Sequence, residues 1–325
     1  MFELPFPDCM DARKPLDAQA VGLMLFLCLC WALQQVALKA TAADIAPILQ
    51  ISLRSGIAAL LVGALMLAQR EKLSLAGGEW RPGMVVGALF ALEYLLLGEA
   101  LRLTSASHAA VFLYTAPIFA ALGLHWKLPS ERMSALQWLG IALAFCGIAL
   151  AFLGRDTQAP TVAVSSMLLG DLLALLAGAA WGATTIVIRT TSLSVLPAKQ
   201  TLLYQLVGAF VLLLACAVAF GQTGFKPTPL ALASLGFQAV IVSFFTFLLW
   251  FWMLRHYLAS RLGTLSFMTP LFGVVLGAWL LKEPIEPGFL AGAVLVMAGI
   301  VLVSGHGWLG QLAGAIPRLL KRRSA

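Results

Sequence analysis

Arg54 and Glu93 are charged residues that fall well inside long apolar runs of this chain. Near a bilayer centre such a charge costs about 2.5–3.5 kcal/mol on insertion scales, so it has to face a partner or a wet cavity. An ionised Glu93 can hold an ammonium group and a protonated one lets it go, which is the chemistry of a proton-coupled binding site. A structural Arg54–Glu93 bridge that fixes two neighbouring helices is the other reading, and both stay open. Trp31, Gln34 and Gln35 share a helix face at i, i+3, i+4 spacing, as do Trp181, Thr184 and Thr185. Ser243, Thr246 and Trp250 form a looser stripe, and Tyr114 is a further candidate. An indole beside amides or hydroxyls can stack on an apolar or cationic solute while the polar groups orient it. Helix–helix hydrogen bonding with packed indoles is the alternative. An enzyme is not expected: the four histidines are scattered, and there is no HExxH, nucleophile elbow or P-loop. Neither a metal nor a cofactor is expected, and the five cysteines have no ligand or redox spacing.

The elements that must carry these residues are long and apolar. Mean hydropathy is +0.95, with 61% hydrophobic and 11% charged residues, far from soluble-domain averages. About twenty such residues cross a hydrocarbon core of roughly 30 Å as a helix. Spans are expected at 17–39, 45–69, 82–101, 105–126, 134–154, 166–188, 197–220, 229–254, 260–281 and 286–307. The fold class is all-α integral membrane, with short connections and no soluble domain large enough for a separate activity.

These ten transmembrane helices read as two copies. Trp31–Thr41 recurs as Trp181–Thr191, with Trp, Lys/Arg and Thr in register. Ala106, Ser107 and Pro117 recur as Ala259, Ser260 and Pro270, and Glu131, Gly140 and Gly147 as Glu283, Gly292 and Gly299. Five spans per copy turn the second copy over, so an inverted 5+5 repeat is expected, the design that builds two gates around one central site. Residues 1–16 form a cytoplasmic tail, 17–154 the first repeat, 155–165 an external linker, 166–307 the second repeat and 308–325 a basic cytoplasmic tail. Pro117 and Pro270 each remove a helical hydrogen bond, and paired kinks there suit a bending gate or a static bend. Gly83/Gly87, Gly178/Gly182 and Gly273/Gly277 each put two small residues on one face for close helix approach.

The net charge of +7 is topological rather than a binding patch. Connections on the side of both termini hold fifteen Lys and Arg, against five (Lys39, Arg102, Arg155, Lys226, Lys282) on the other side. This asymmetry predicts cytoplasmic termini and argues against a nucleic-acid partner. The N-terminal stretch lacks the order of a cleaved signal, so the first helix is expected to be retained. Glu99 and Asp171 are expected to reach water or headgroups at outer helix ends. Glu283 is expected to cap the helix that follows it.

The tract ASHAAVFLYTAPIFAALGLHW (106–126), its echo ASRLGTLSFMTPLFGVVLGAWLLKEP (259–284) and a Trp-bearing first helix in each half carry a resemblance. They resemble the EamA-type branch of the drug/metabolite transporter superfamily over roughly residues 17–307. The first copy departs from the pattern, reading LPSERM where the second has LKEPIE. The resemblance implies a multi-pass permease of the inner membrane with a cavity between its halves, usually an exporter of amino acids or related metabolites. It leaves open a facilitative uniporter or an exporter of drugs and amphipathic cations, with a lipid flippase or membrane enzyme more remote. The partners expected are a small-molecule substrate, the lipid bilayer and protons; oligomeric state is not legible.

Overall fold

The computed structural model describes residues 17–71, 78–127, 132–153, 161–257, 262, 265–266, 268–285 and 287–302. Both expected tails, Glu131, Ala259 and Ser260 lie outside the described residues. The chain is helical: α1 Ala18–Ala40, α2 Pro47–Ala68, α3 Trp80–Leu103, α4 Ala106–Leu113, α5 Ala116–Lys127, α6 Ala135–Leu153, α7 Thr161–Thr190 and α8 Ala198–Ala219. Then come α9 Pro229–Gly236, a π-helical stretch Phe237–Thr246, α10 Phe247–His256, α11 Met268–Leu280 and α12 Pro287–Leu302. Seven stretches are long and apolar enough to cross a membrane, taking α4–α5 as one and Pro229–Trp250 as one; α6, α11 and α12 are shorter apolar helices. This is an integral membrane protein.

Local chemistry sets the helix ends. Asp17 accepts from Ala20 N–H at 2.7 Å, Ser105 from His108 N–H at 3.0 Å and Thr228 from Ala231 N–H at 3.2 Å, each capping a helix start. The break between α4 and α5 falls at Tyr114–Thr115, because Pro117 has no N–H to give Leu113 and disfavours helical backbone before it. Pro270 is the third residue of α11, where a helix needs no donor, so both prolines sit in the first turn after a break rather than within a continuous bend. Helix α7 begins at Thr161, so the second part of the expected linker is helical.

Glycines bring the helices together. A Cβ on Gly87 would lie 2.7 Å from Tyr204 O, and one on Gly208 2.6 Å from Gly87 Cα, which locks α3 to α8. Gly178 and Gly182 press α7 onto Leu113 O and Ala116 O at 2.8 and 3.0 Å. Between α6 and α12 the approach is reciprocal. A Cβ on Gly147 would meet Gly292 O at 2.6 Å, and one on Gly299 would meet Gly140 O. Close backbone approach of this kind supplies the packing that lipid cannot drive by hydrophobicity.

Three charged side chains from elsewhere hold the α3–α4 corner. Lys39 Nζ donates to Leu101 O at 3.1 Å and to Thr104 O, at the negative end of α3. Glu283 does not cap the helix after it. Its carboxylate accepts from Ala106 N–H at 2.7 Å and from Ser107 N–H and Oγ at 3.1 and 2.9 Å, capping α4 across the bundle. Asp171 corrects another expectation: it is fully buried, not solvated. It accepts from Thr104 Oγ1 and lies 3.0 Å from His108 Nδ1. His108 stacks on Phe289 with centroids 3.8 Å apart. A carboxylate this deep is tolerable because two partners satisfy it. Glu99 keeps its expected place, bonded to Arg102 at 2.8 Å near a helix end.

Candidate functional site

Helices α1, α2, α3 and the π-helical stretch meet around Arg54, which is 1% exposed. It is the eighth residue of α2, about 10 Å along that helix. Its Nη1 donates to Gln34 Oε1 at 2.6 Å and to Gln238 Oε1 at 3.1 Å, and the guanidinium lies 4.5 Å from the Tyr94 ring centroid. Glu93, the chain neighbour of Tyr94, is also buried. The two charged residues form no ion pair with each other: Nη1 is taken by amides, and Glu93 Oε2 has no hydrogen-bond partner.

Four buried atoms in apolar helices lack a partner among the described residues: Gln35 Oε1, Arg54 Nε, Glu93 Oε2 and Thr269 Oγ1. They come from α1, α2, α3 and α11. Thr269 lies beside Cys28 and Tyr114, and Tyr114 in turn is within electrostatic reach of Glu93 and Tyr94. In hydrocarbon an unsatisfied polar group costs several kcal/mol. Orphaned polar atoms on these packed helices make the region a candidate polar ligand site.

The aromatic candidates flank this region in two pairs. Trp31 meets Trp250 edge-on at 5.7 Å, and its indole N–H donates to Thr246 Oγ1 at 2.9 Å. Trp181 meets Tyr114 edge-on at 5.3 Å. Of the polar candidates, Gln34 joins Arg54 and Gln35 keeps a free oxygen, while Ser243 is buried on the π-helical stretch. Thr184 and Thr185 donate instead to their own helix, to Ala180 O at 3.1 Å and Trp181 O at 3.2 Å, so their protons are spent locally.

Gln238, Tyr94 and Thr269 were missed by pattern reading. Gln238 carried the same signal as Gln34, an amide inside an apolar run, but stands alone on its helix face. The π-helical stretch itself has no sequence signature. Such stretches cluster at functional positions in membrane and soluble helices.

Buried charged residues, Arg54 and Glu93, inside membrane-crossing helices define a class: a multi-pass membrane protein with a polar cluster among its spans. The chain belongs to the EamA-like transporter family, which matches it twice, over residues 18–153 and 168–305. It is 26% identical over 275 residues to the uncharacterized transporter YoaV of Bacillus subtilis (84% of this chain, 92% of that protein). It is 26% identical to the uncharacterized transporter YvbV of the same organism (87% and 90%), and 23% identical to an uncharacterized transporter of Archaeoglobus fulgidus (87% and 96%). A protein crystal structure 18% identical in sequence shares the fold with a TM-score of 0.62, covering 88% of this chain and 96% of that one. The protein is a membrane transporter.

Proposed function

We propose that this transporter is a ten-span secondary carrier of the inner membrane that exports amino acids or related small metabolites by alternating access. The observation that carries the substrate class is the set of orphaned atoms. Arg54 Nε is a cationic donor for a carboxylate, and Glu93 Oε2 with Gln35 Oε1 are acceptors for an ammonium group. A solute bearing both charges satisfies all of them at once. Trp31, Trp250, Trp181 and Tyr114 then line the side-chain end of the solute.

An inverted 5+5 arrangement is supported by two independent facts. One family matches each half separately. Gly140 and Gly147 correspond to Gly292 and Gly299 by position in the repeat, and they touch reciprocally, Gly147 to Gly292 and Gly299 to Gly140. Reciprocal contact between equivalent positions is what a two-fold relation requires, and the reversed order makes α6 and α12 antiparallel. Proton coupling rests on Glu93, which exchanges a proton for the substrate ammonium. Cytoplasmic termini rest on the distribution of Lys and Arg.

Exchange of radiolabelled amino acids in proteoliposomes, with and without a pH gradient, tests this reading. Saturable exchange accelerated by the gradient is the expected result. Exchange indifferent to the gradient removes the proton and leaves a uniporter; absence of exchange for all twenty amino acids overturns the substrate class.

A further inference from the structure

We infer that Gln238 is a positioning residue that turns the Arg54 guanidinium so that its Nε–Nη2 edge, rather than Nη1, meets the ligand. This deepens the amino-acid reading and rests on it for the identity of the ligand, though not for the geometry.

The geometry is a buried chain of side chains. Arginine presents five N–H groups in a rigid fork. Both hydrogens of Nη1 are used, one on Gln34 Oε1 and one on Gln238 Oε1. Gln238 Nε2 donates to Ser234 Oγ at 3.1 Å, which fixes the amide with its oxygen toward Arg54. The flipped amide would set two donors against each other. Ser234 Oγ also accepts from Gln50 Nε2 at 2.8 Å, and Gln50 Oε1 accepts from Thr41 Oγ1 at 3.0 Å. Ser234 Oγ donates to Ala37 O at 3.4 Å, and Thr41 Oγ1 shares its single proton between Gln50 Oε1 and Ala37 O, the latter at 2.8 Å. Gln50 and Gln238 are fully buried, and Thr41 and Ser234 nearly so. Arg54 is thus steered from the end of α1 through four hydrogen-bonded side chains, Thr41, Gln50, Ser234 and Gln238. With the guanidinium carbon held 4.5 Å from the Tyr94 ring centroid, Nε is left without a partner, and Nε with Nη2 forms the side of the fork that can meet both oxygens of a carboxylate.

This chain spends several buried polar groups on orientation. The ladder holds Nη1 and leaves Arg54 Nε and Glu93 Oε2 without hydrogen-bond partners.

Two measurements on reconstituted full-length protein decide it. The first compares transport of each of the twenty L-amino acids with that of its C-terminal amide. Wild type should prefer the acid, and Gln238→Ala should cut that preference about tenfold. The second follows solvent exchange of the Arg54 Nε–H in arginine-labelled protein by NMR, the resonance being assigned by its loss in Arg54→Lys. Exchange should quicken at least tenfold in Gln238→Ala. Ser234→Ala, a milder change, should move both readouts in the same direction and covers the case in which Gln238→Ala does not fold. Unchanged acid-to-amide preference with unchanged exchange in both variants overturns the positioning role. A wild type that shows no acid preference, with exchange still quickened by Gln238→Ala, upholds the positioning and removes the carboxylate reading instead.

Discussion

Glu93 has the clearest consequence at the scale of single residues, because its carboxylate is buried, unpaired and isosteric with an amide. Glu93→Gln should fold normally and lower amino-acid exchange at least tenfold, equivalent to about 1.4 kcal/mol or more of lost binding or barrier stabilisation. Normal flux with normal response to a pH gradient in that variant would leave Glu93 a packing role only. Trp31→Ala and Trp181→Ala should raise apparent KM about 5- to 10-fold with little change in maximal rate, as expected when a contact is made equally in the ground and transition states. An unchanged substrate profile in both moves the site elsewhere. Much of this residue set was legible beforehand, since a charge or amide inside an apolar run is expensive wherever it points. Partner choice was not. Whether Arg54 met Glu93 or Gln34 depends on helix rotation, and a spacing of three or four residues only says which side chains share a face.

At the scale of elements, hydropathy located the seven long apolar stretches, and the capping residues Asp17, Ser105 and Thr228 mark starts close to the expected ones. What hydropathy could not supply was tertiary partnership. Asp171 looked interfacial because carboxylates near helix ends usually are, yet His108 and Thr104, more than sixty residues earlier, give it a dry home. Glu283 looked like a local cap and instead serves α4, some 177 residues away. Removing it should therefore loosen a corner in the other half of the chain. Glu283→Ala is expected to destabilise the protein by about 1–3 kcal/mol, the range for leaving charged-acceptor donors unmade, and to lower the thermal unfolding midpoint. Protection of the amides at Ala106 and Ser107 from hydrogen exchange should fall with it. A midpoint and protection equal to wild type would show that water replaces the carboxylate without loss. Backbone approach gives a second test at this scale. Gly299→Leu should break the α6–α12 crossing, because the added side chain meets Gly140 O and Ala144 N with no flexible group to yield. Poor recovery of folded protein in detergent is the expected readout, and recovery like wild type contradicts the crossing.

At the scale of the whole molecule, both family-matched segments contribute to the buried polar residues: Gln35, Arg54 and Glu93 lie within 18–153, Gln238 and Thr269 within 168–305. The repeated Trp31 and Trp181 tracts suggest the same division, and the family matches each of the two segments separately. The reciprocal glycine contacts that tie α6 to α12 needed coordinates, because no sequence spacing says which equivalent helices touch. The most direct test of the account places single cysteines at Gln35 and Thr269, one in each half, in a background without the other cysteines. A membrane-impermeant thiol reagent is then applied from either face of sealed vesicles. The account predicts that both positions react from both faces, that conditions raising reactivity from one face lower it from the other, and that a transported amino acid protects them. Reaction from one face alone, or reactivity at the two positions that changes independently, would contradict a shared site reached alternately from the two sides.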